Sequence, residues 1–424
     1  MTGNRHNNAR RGSTYMLILG LSLIVTVLAL GAIAAVRARS RASLGMEGVA
    51  EARLYAHAAI EIGRLRIATN PAWRNLFPNG VWGANAPVGS GTYTLEGIDP
   101  GDGDLADDDA DPVVLIGTGR KGPARQKMQV TLVPDVRGLS CLAAALHAGS
   151  DLTVNGSGDT INAGGALVST NSRLSNAGTI DGDVDAQSVK VLGTITGTTT
   201  APAPAKEMPD GTVFDYYIAN GTPINVTSIP LSAGFRSMEE QVLSPAVNPW
   251  GTHATNPEGI YVIDCQGQKV AITNCRIVGT LALLNAGGVS EVYTVNWEPA
   301  VGNYPALMVQ GNVDFYVNSG NLLEEGPPLS FNFNPPGTPY LGVQDGDTAD
   351  TYPVVIKGLV YVSGAVNTWQ SPDFRGVVVV GGVLSATGDM SLTYQQTFLN
   401  NPPPGFLAPA GMKISPGSWK QVVD

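Results

Sequence analysis

The stretch Ser13-Thr-Tyr-Met-Leu-Ile-Leu-Gly-Leu-Ser-Leu-Ile-Val-Thr-Val-Leu-Ala-Leu-Gly-Ala-Ile-Ala-Ala-Val36 contains no charged residue. At about 1.5 Å per helical residue, such a run is long enough to cross a hydrocarbon layer of about 30 Å. Arg11 precedes it and Arg37 follows it, so both ends can reach lipid phosphates. The stretch therefore predicts a single membrane-spanning helix whose first partner is the lipid bilayer.

The helical pattern continues beyond the apolar run. Residues 37–68 contain no proline, and alanine and other apolar residues recur there at helical spacing. Asn70-Pro71 then ends the pattern, because the residue before a proline disfavours the helical conformation. We expect one helix from about residue 14 to residue 69, with its outer half packed on its own head or on copies of itself.

Two quoted segments of this helix carry a resemblance. Arg10-Arg11-Gly12-Ser13 before the apolar run, and Glu51-Ala-Arg-Leu-Tyr-Ala-His-Ala-Ala-Ile-Glu61 after it, resemble the amino-terminal region of PilX-type minor pilins and type II secretion tip pseudopilins. The resemblance implies cleavage between Gly12 and Ser13 by a peptidase on the cytoplasmic face. It also implies a single-pass protein of the bacterial inner membrane, with its C-terminal head in the periplasm or at the cell surface.

The same resemblance implies that other pilin-like subunits bind through the N-terminal helix. Small residues allow helices to approach closely in a membrane. The candidate helix-packing residues are Gly20, Gly31, Ala35, Ala52, Ala56 and Ala59. Major pilins carry a glutamate at the fifth mature position, whereas this chain has Leu17 there, which argues against ordinary incorporation along a filament.

Composition limits what the rest of the chain can be. The chain has 424 residues, 52 glycines and only 14% charged residues, which favours strands and turns over an ordinary helical enzyme. The net charge is −10, and the excess acid lies beyond residue 75. An acidic body repels nucleic acid, so we expect no nucleic-acid partner.

The expected fold class is mainly β: a long N-terminal transmembrane α-helix, a small antiparallel β-meander, and a parallel β-solenoid, or β-helix, head. We divide the chain into a basic leader (1–12), the transmembrane and extended helix (13–70), a small β-meander region (71–138), a first solenoid block (139–200), a linker with short helices (201–257), a second solenoid block (258–395) and a Pro-rich C-terminal tail (396–424). Within the linker, residues 210–219 and 237–243 are the predicted short helices.

The solenoid prediction rests on repetition. From residue 151 onward, short apolar triplets alternate with Asn, Gly, Asp, Ser and Thr. Residues 358–366 and 376–384 superimpose at an offset of 18 residues, and one solenoid coil needs about 18 to 25 residues. Glycine-punctuated short strands also occur in a β-sandwich, which is the alternative fold.

The meander is predicted from apolar strands at 92–96, 113–116 and 128–133. An acidic loop lies between the first two, and its aspartates are the candidate calcium ligands: Asp102, Asp104, Asp107, Asp109 and Asp111. Calcium takes six to eight oxygen ligands, and clustered aspartates in a glycine-containing loop can supply several of them. The spacing does not match an EF-hand, and a solvated acidic loop is the alternative interpretation. A second acidic loop, residues 345–350, gives a weaker signal.

Three cysteines are too few for a disulfide scaffold. Cys265 and Cys275 flank a strand-turn-strand unit that could bring them within bridging range, and an exported domain would allow the bond. The alternative is two small residues buried in a core.

The sequence contains no HExxH, CxxC, GxxxxGK[ST] or GxSxG pattern of the kinds that carry metal, nucleotide or nucleophile chemistry. We therefore predict a non-enzymatic, membrane-anchored, pilin-like or pseudopilin-like structural subunit of a type IV pilus or type II secretion-like envelope assembly, with no cofactor unless calcium binds. The alternative is a single-pass surface adhesin or glycan-binding β-helix protein, with an extracellular glycan as its partner. A third class is a β-helix polysaccharide lyase.

Overall fold

The computed structural model describes residues 8–108, 111–325 and 330–423, with side chains from residue 14 onward. The chain divides into two compact units, Met1–Val136 with Pro409–Asp424, and Arg137–Ala408. The first contains a long helix and an antiparallel sheet, and the second contains stacked parallel strands. The fold class predicted from the sequence is confirmed.

The first unit is built from the following elements. These are α1 Asn8–Thr69, α2 Trp73–Leu76, β1 Gly80–Val88, β2 Gly91–Ile98, β3 Val113–Lys121, β4 Ala124–Gly138, β30 Leu407–Ile414 and β31 Lys420–Val422.

The second unit follows in chain order. Its strands are β5 Leu146–Ala148, β6 Leu152–Val154, β7 Thr160–Thr170, β8 Arg173–Asn176, β9 Thr179–Asp185, β10 Ser188–Val191, β11 Thr194–Ile195, β12 Thr199–Thr200, β13 Thr222–Pro223, β14 Leu231–Ser232, β15 Phe235–Leu243, β16 Ile260–Asp264, β17 Lys269–Val278, β18 Thr280–Leu284, β19 Val289–Val292, β20 Val295–Glu298, β21 Pro305–Val309, β22 Asn312–Phe315, β23 Asn321–Leu323, β24 Thr351–Pro353, β25 Val355–Val362, β26 Val366–Thr368, β27 Asp373–Val380, β28 Leu384–Ala386 and β29 Asp389–Tyr394. Its helical turns are α3 Asp215–Asn220, α4 Thr397–Asn400 and the 3-10 turns Ser140–Ala143, Gly211–Phe214 and Val226–Ser228.

Helix α1 is one continuous element that changes environment along its length. It ends at Thr69, directly before Asn70-Pro71, as the sequence predicts. From Gly48 onward it approaches the sheet, and Ala52, Ala56 and Ile60 become fully buried. The outer half of the helix therefore serves as the core helix of the first unit.

The sheet of the first unit follows the order β1-β2-β3-β4-β30, with β31 also paired to β4. The three predicted strands lie within β2, β3 and β4. Strand β1 was not predicted, because Gly80–Val88 contains bulges and its apolar residues do not alternate regularly with polar ones. The segment 396–424, predicted to be a tail, contributes β30 and β31 to this sheet, a pairing between residues almost 300 positions apart that no local pattern indicates.

Two glycines allow the helix to lie directly on the sheet. A Cβ on Gly117 would stand 2.1 Å from the carbonyl oxygen of Ala56, and a Cβ on Gly119 would stand 1.9 Å from that of Ala52. The stretch Gly117-Thr-Gly-Arg-Lys-Gly122 also has the spacing of a dinucleotide-binding loop. It forms the end of β3 and a hairpin turn rather than a strand-to-helix turn, so its glycines serve close packing.

The second unit is a parallel β-solenoid. Gly358 of β25 pairs with Gly376 of β27, and the seven residue pairs along these two strands keep an offset of 18 residues. The repeat found in the sequence is therefore one coil, and the β-sandwich alternative is wrong. Inward side chains of successive coils form one continuous apolar core that includes Val360, Val378 and Leu146.

The coils do not stack in chain order. One column of parallel strands runs β15-β17-β19-β22-β26-β28 and then continues to β6-β8-β10. The first block thus extends the end of the second block, with Leu384 paired to Leu152. The chain enters the solenoid in the middle, completes one end, crosses to the other end and returns.

The crossing is made by residues 203–217, which we call the side segment. Asn171 holds it through both ends of its amide, which bond the Lys206 N–H and carbonyl at 2.7 and 2.8 Å. Phe214 and Tyr217 are buried on the outer face of the coils. The predicted helix at 210–219 corresponds to the turn Gly211–Phe214 and α3. The one at 237–243 is wrong, because these residues form β15, paired in parallel with β17.

Candidate functional site

The apolar part of α1 is the first candidate site. All residues from Thr14 to Val36 are exposed, except Gly20, which is half-buried. In the part of the chain that the structure describes, α1 is the one helix long and apolar enough to cross a membrane. Exposed leucines and isoleucines over this length suit lipid chains or other apolar helices, not water.

The structure separates the six predicted helix-packing residues into two groups. Gly31 and Ala35 lie on the exposed surface, and a Cβ on Gly20 or Gly31 would meet no atom within 4 Å. Ala52, Ala56 and Ala59 are fully buried against the chain's own sheet. The prediction that these three residues contact a neighbouring helix is wrong. Small residues allow a helix to pack closely on a sheet as well as on another helix.

A different face of the outer helix remains open. It is lined by Met46, Val49, Ala50, Arg53, Leu54 and His57. Val49 is 44% exposed and Leu54 is 65% exposed. We call this surface the outer helix face. It continues the exposed apolar surface of the same helix, and at its far end the His57 ring stacks on Trp419 with centroids 4.9 Å apart.

The predicted processing site lies at the start of α1. Gly12 and Ser13 fall within the helix Asn8–Thr69, but their side chains lie outside the described residues. Cleavage between them remains a prediction.

The acidic loop of the first unit forms a cluster that differs from the predicted one. One carboxylate oxygen from each of Asp99, Asp102 and Asp111 lies within 4.8 Å of the others. Asp104 and Asp107 do not belong to this group, and Asp109 lies outside the described residues. Asp99 was missed because it precedes the acidic run, at the end of the sheet strand that fixes its position.

The buried Asp99 carboxylate is already occupied by the backbone. It accepts N–H groups from Gly101, Asp102 and Gly103 at 2.8, 3.2 and 3.0 Å. The Gly101 N–H and the Asp102 carboxyl hold the pKa of Asp99 well below its usual range. Burial and repulsion by Asp99 raise the pKa of Asp111. This arrangement closes the loop without a cation, and calcium binding there remains a prediction.

The three cysteines are free and buried in the structure. Cys275 Sγ lies 3.3 Å from the Met238 carbonyl, inside the coil stack, and Cys265 Sγ lies 3.7 Å from the Ile263 carbonyl. Burial raises the pKa of both thiols to about 12. The predicted disulfide is not formed, because the turn between the strands places the two residues at different positions of one coil, facing different core neighbours.

An aromatic column lies along one corner of the solenoid. Tyr293 and Tyr316 stack with centroids 5.2 Å apart, and Tyr316 and Trp369 stack at 5.9 Å. The Tyr293 hydroxyl donates to Glu291 at 2.7 Å, and the Tyr316 hydroxyl donates to Asp314 at 3.3 Å. The ring faces are largely occupied by one another, so the column packs the corner of the coils.

His147 is a buried base beneath the side segment. It is fully buried, its Nδ1 lies 2.8 Å from Ser169 Oγ, and its Nε2 has no hydrogen-bond partner among the described residues. Burial, together with the nearby Lys206 ammonium, lowers the pKa of His147 to about 4. Because His147 is fully buried, no substrate can reach it. It instead affects the stability of the fold, and this effect depends on pH.

We expect the head to lose stability in mild acid through His147. The pKa is lower in the folded chain than in the unfolded chain, where it is about 6.5, so the unfolded state takes up the proton first as the pH falls. The free energy of unfolding should therefore drop between pH 6.5 and pH 4, by up to about 3 kcal/mol. Hydrogen exchange of β5 and β7 across this range would measure it.

The control for this experiment is a second histidine. The variant His147→Gln should flatten that pH dependence, whereas His253→Gln, at an exposed histidine of the same unit, should leave it as in the parent chain. Equal pH dependence in all three proteins would contradict the assignment to His147.

The described residues thus define a mainly β protein with one candidate membrane-crossing helix. No family model matches the chain, and no curated protein matches it. Among solved structures, the chain is similar to the competence-associated pilin ComZ from Thermus thermophilus, at 13% identity and a TM-score of 0.33, over 89% of this chain and 98% of that chain.

Proposed function

We propose that the chain is a non-enzymatic, pilin-like structural subunit of a type IV pilus or type II secretion-like envelope assembly. One observation supports this most directly. A single continuous helix is apolar from Thr14 to Val36 and exposed there except at the half-buried Gly20, and its second half forms the core of a folded unit. A plain anchor needs only the first half. A helix of this kind can be held in a bilayer and then transferred, with its head attached, into a bundle of similar helices.

The outer helix face is the proposed contact with a partner subunit. It is apolar and open, and lies opposite the buried alanines of the same helix. Apolar side chains at helical spacing along it suit a second helix running alongside. The arginine at position 53 adds a charge that can select among partners. The bacterial inner membrane, and a head in the periplasm or at the cell surface, follow from this role.

Cysteine cross-linking in native cells tests the proposal. Val49→Cys and Leu54→Cys place thiols on the outer helix face, while Ala56→Cys places one on the buried face of the same helix. The native thiols are buried and give little background. We expect the first two variants to be captured with a second pilin-like subunit, and Ala56→Cys to give no product.

Mass spectrometry of the mature amino terminus completes the test. Processing between Gly12 and Ser13 should leave Ser13 as the first residue. An uncut leader, together with no cross-link from Val49→Cys or Leu54→Cys, would instead favour the single-pass adhesin. In that case the purified protein should bind an extracellular glycan.

A further inference from the structure

The stack of coils in the solenoid is closed at one end and open at the other. At the closed end, Ile224, Val226 and Trp250 are buried in the same apolar core as the coils, and β14 pairs with β15 in antiparallel fashion. At the other end, β10, β11 and β12 form the last coil, and all of residues 188–200 are exposed except Ile195, which is half-buried. We call this last coil, residues 188–200, the open end.

The side chains of the open end leave part of the apolar core uncovered. Val189 pairs with Leu174 of the preceding coil, and Val191 lies on the same face of β10 as Val189. Leu174 is 1% exposed, whereas Val189 is 37% and Val191 is 43% exposed. Because Leu174 faces the core, the two valines face it as well, and they are covered from one side only.

The backbone of the open end is also paired on one side. Strand β10 pairs with β8, and β11 and β12 pair with β9; the described residues provide no further strand beyond them. A strand at such an edge presents a row of unpaired N–H and C=O groups, which proteins usually block with charges, proline or a covering loop. Residues 186–201 contain one charge, Lys190, and no proline.

The chain does not fold back over this edge. After the last coil it leaves along the side of the stack, where the Ala203 N–H donates to the Ala186 carbonyl at 2.9 Å. Terminal repeats of a solenoid need a polar cap to stay soluble alone. The open end has exposed valines in place of such a cap, so it has the character of a contact surface.

Backbone and charge together define the partner that fits. An unpaired strand edge is matched by another strand edge, because only a strand offers N–H and C=O groups at the same spacing. The chain has a net charge of −10, so acidic surfaces of two copies repel each other, whereas residues 188–200 contain no acidic residue. The closed end offers no free coil, so copies cannot stack head to tail through their solenoids.

We propose that the open end binds the open end of a second copy of this chain. A two-fold axis through the middle of β10 would make the two copies of this strand antiparallel neighbours, with the valines of one copy packed on those of the other. Val189 and Val191 would then be covered from both sides, as Leu174 is. A two-fold contact uses up both edges, so it gives a closed dimer and not a fibre. It involves no residue of the outer helix face, and so it is a second contact in addition to the one proposed above.

Sedimentation of the full chain in a non-ionic detergent tests the contact. We expect the parent protein to be dimeric, and Val191→Glu to raise the dissociation constant at least about tenfold, because the symmetry brings the new charge into the contact twice. Val383→Glu is the matched control, since Val383 is 46% exposed in the same unit but lies outside the open end. It should keep the dissociation constant of the parent protein. Circular dichroism checks that both variants are folded.

Hydrogen exchange of the parent protein gives a second measurement that needs no variant. Amides of residues 188–195 should exchange at least about tenfold more slowly in concentrated than in dilute protein, because mass action favours the dimer. Amides of β15, at the closed end, should exchange at the same rate in both.

Val49→Glu, on the outer helix face, separates this contact from association through the helix, and this variant should remain dimeric. The proposal is overturned if the parent protein is monomeric at about 100 μM, a concentration at which specific complexes are formed. It is also overturned if Val191→Glu associates as strongly as Val383→Glu, if exchange of residues 188–195 does not depend on concentration, or if Val49→Glu alone abolishes the dimer.

Discussion

We expect Gly119→Val to release the outer half of α1 from the sheet. A Cβ at this position would stand 1.9 Å from the carbonyl oxygen of Ala52 and 2.6 Å from the backbone nitrogen of Ala56. Both neighbours are backbone atoms of the helix, so no side chain can turn away to make room. Helix and sheet must separate, at a cost of about 3 kcal/mol or more.

Hydrogen exchange localises this effect. Amides of α1 between residues 50 and 68 should exchange about 100-fold faster in Gly119→Val, because 3 kcal/mol corresponds to roughly that change in the opening equilibrium. Exchange in the solenoid reports on the second unit and serves as an internal reference.

Gly45→Ala is the matched control for this variant. A Cβ there meets nothing within 4 Å, and alanine favours the helix by up to about 1 kcal/mol. Exchange should be unchanged or slower. If Gly119→Val also left the outer helix protected, the close contact between α1 and β3 would not be what holds this unit together.

The long helix and the coil repeat could be predicted because both are local. An uncharged run of 24 residues followed by a proline-free stretch defines one helix, and an offset of 18 residues between glycine-containing strands defines one coil. The order of the coils could not be predicted. Any apolar strand of the stack fits above any other, so nothing in the sequence near Leu152 shows that it pairs with Leu384.

The candidate sites show the same limit. The small residues of α1 can be recognised in the sequence. A face of alanines can pack either on the chain's own sheet or on a partner helix, and Ala56 packs on the sheet. The acidic run 102–111 was visible too. Only the fold brings Asp99, which precedes this run, together with Asp102 and Asp111.

The segment between β22 and β25 depends on Arg276, and we expect Arg276→Met to unfold residues 331–352 locally. The guanidinium is fully buried and donates to the carbonyls of Phe333 and Thr338 at 2.8 Å and of Pro339 at 2.7 Å. It also lies over the Tyr340 and Tyr352 rings. Methionine fills much of the volume but leaves three carbonyls without this donor, at a cost of about 3 kcal/mol or more.

Arg375→Met is the matched control, because it removes the same side chain from an exposed pair with Asp373 at 2.9 Å, where we expect a loss of at most about 0.5 kcal/mol. Arg276→Lys should resemble Arg276→Met, since one ammonium cannot reproduce the planar fork that reaches three carbonyls. Limited proteolysis within residues 331–352 would measure the effect: rapid cleavage of both Arg276 variants and slow cleavage of Arg375→Met. If Arg276→Met resisted cleavage as the parent protein does, other contacts would be enough to hold this segment. They include the pairing of β23 with β24 and the bonds from the Phe333 and Asp350 N–H groups to Glu324.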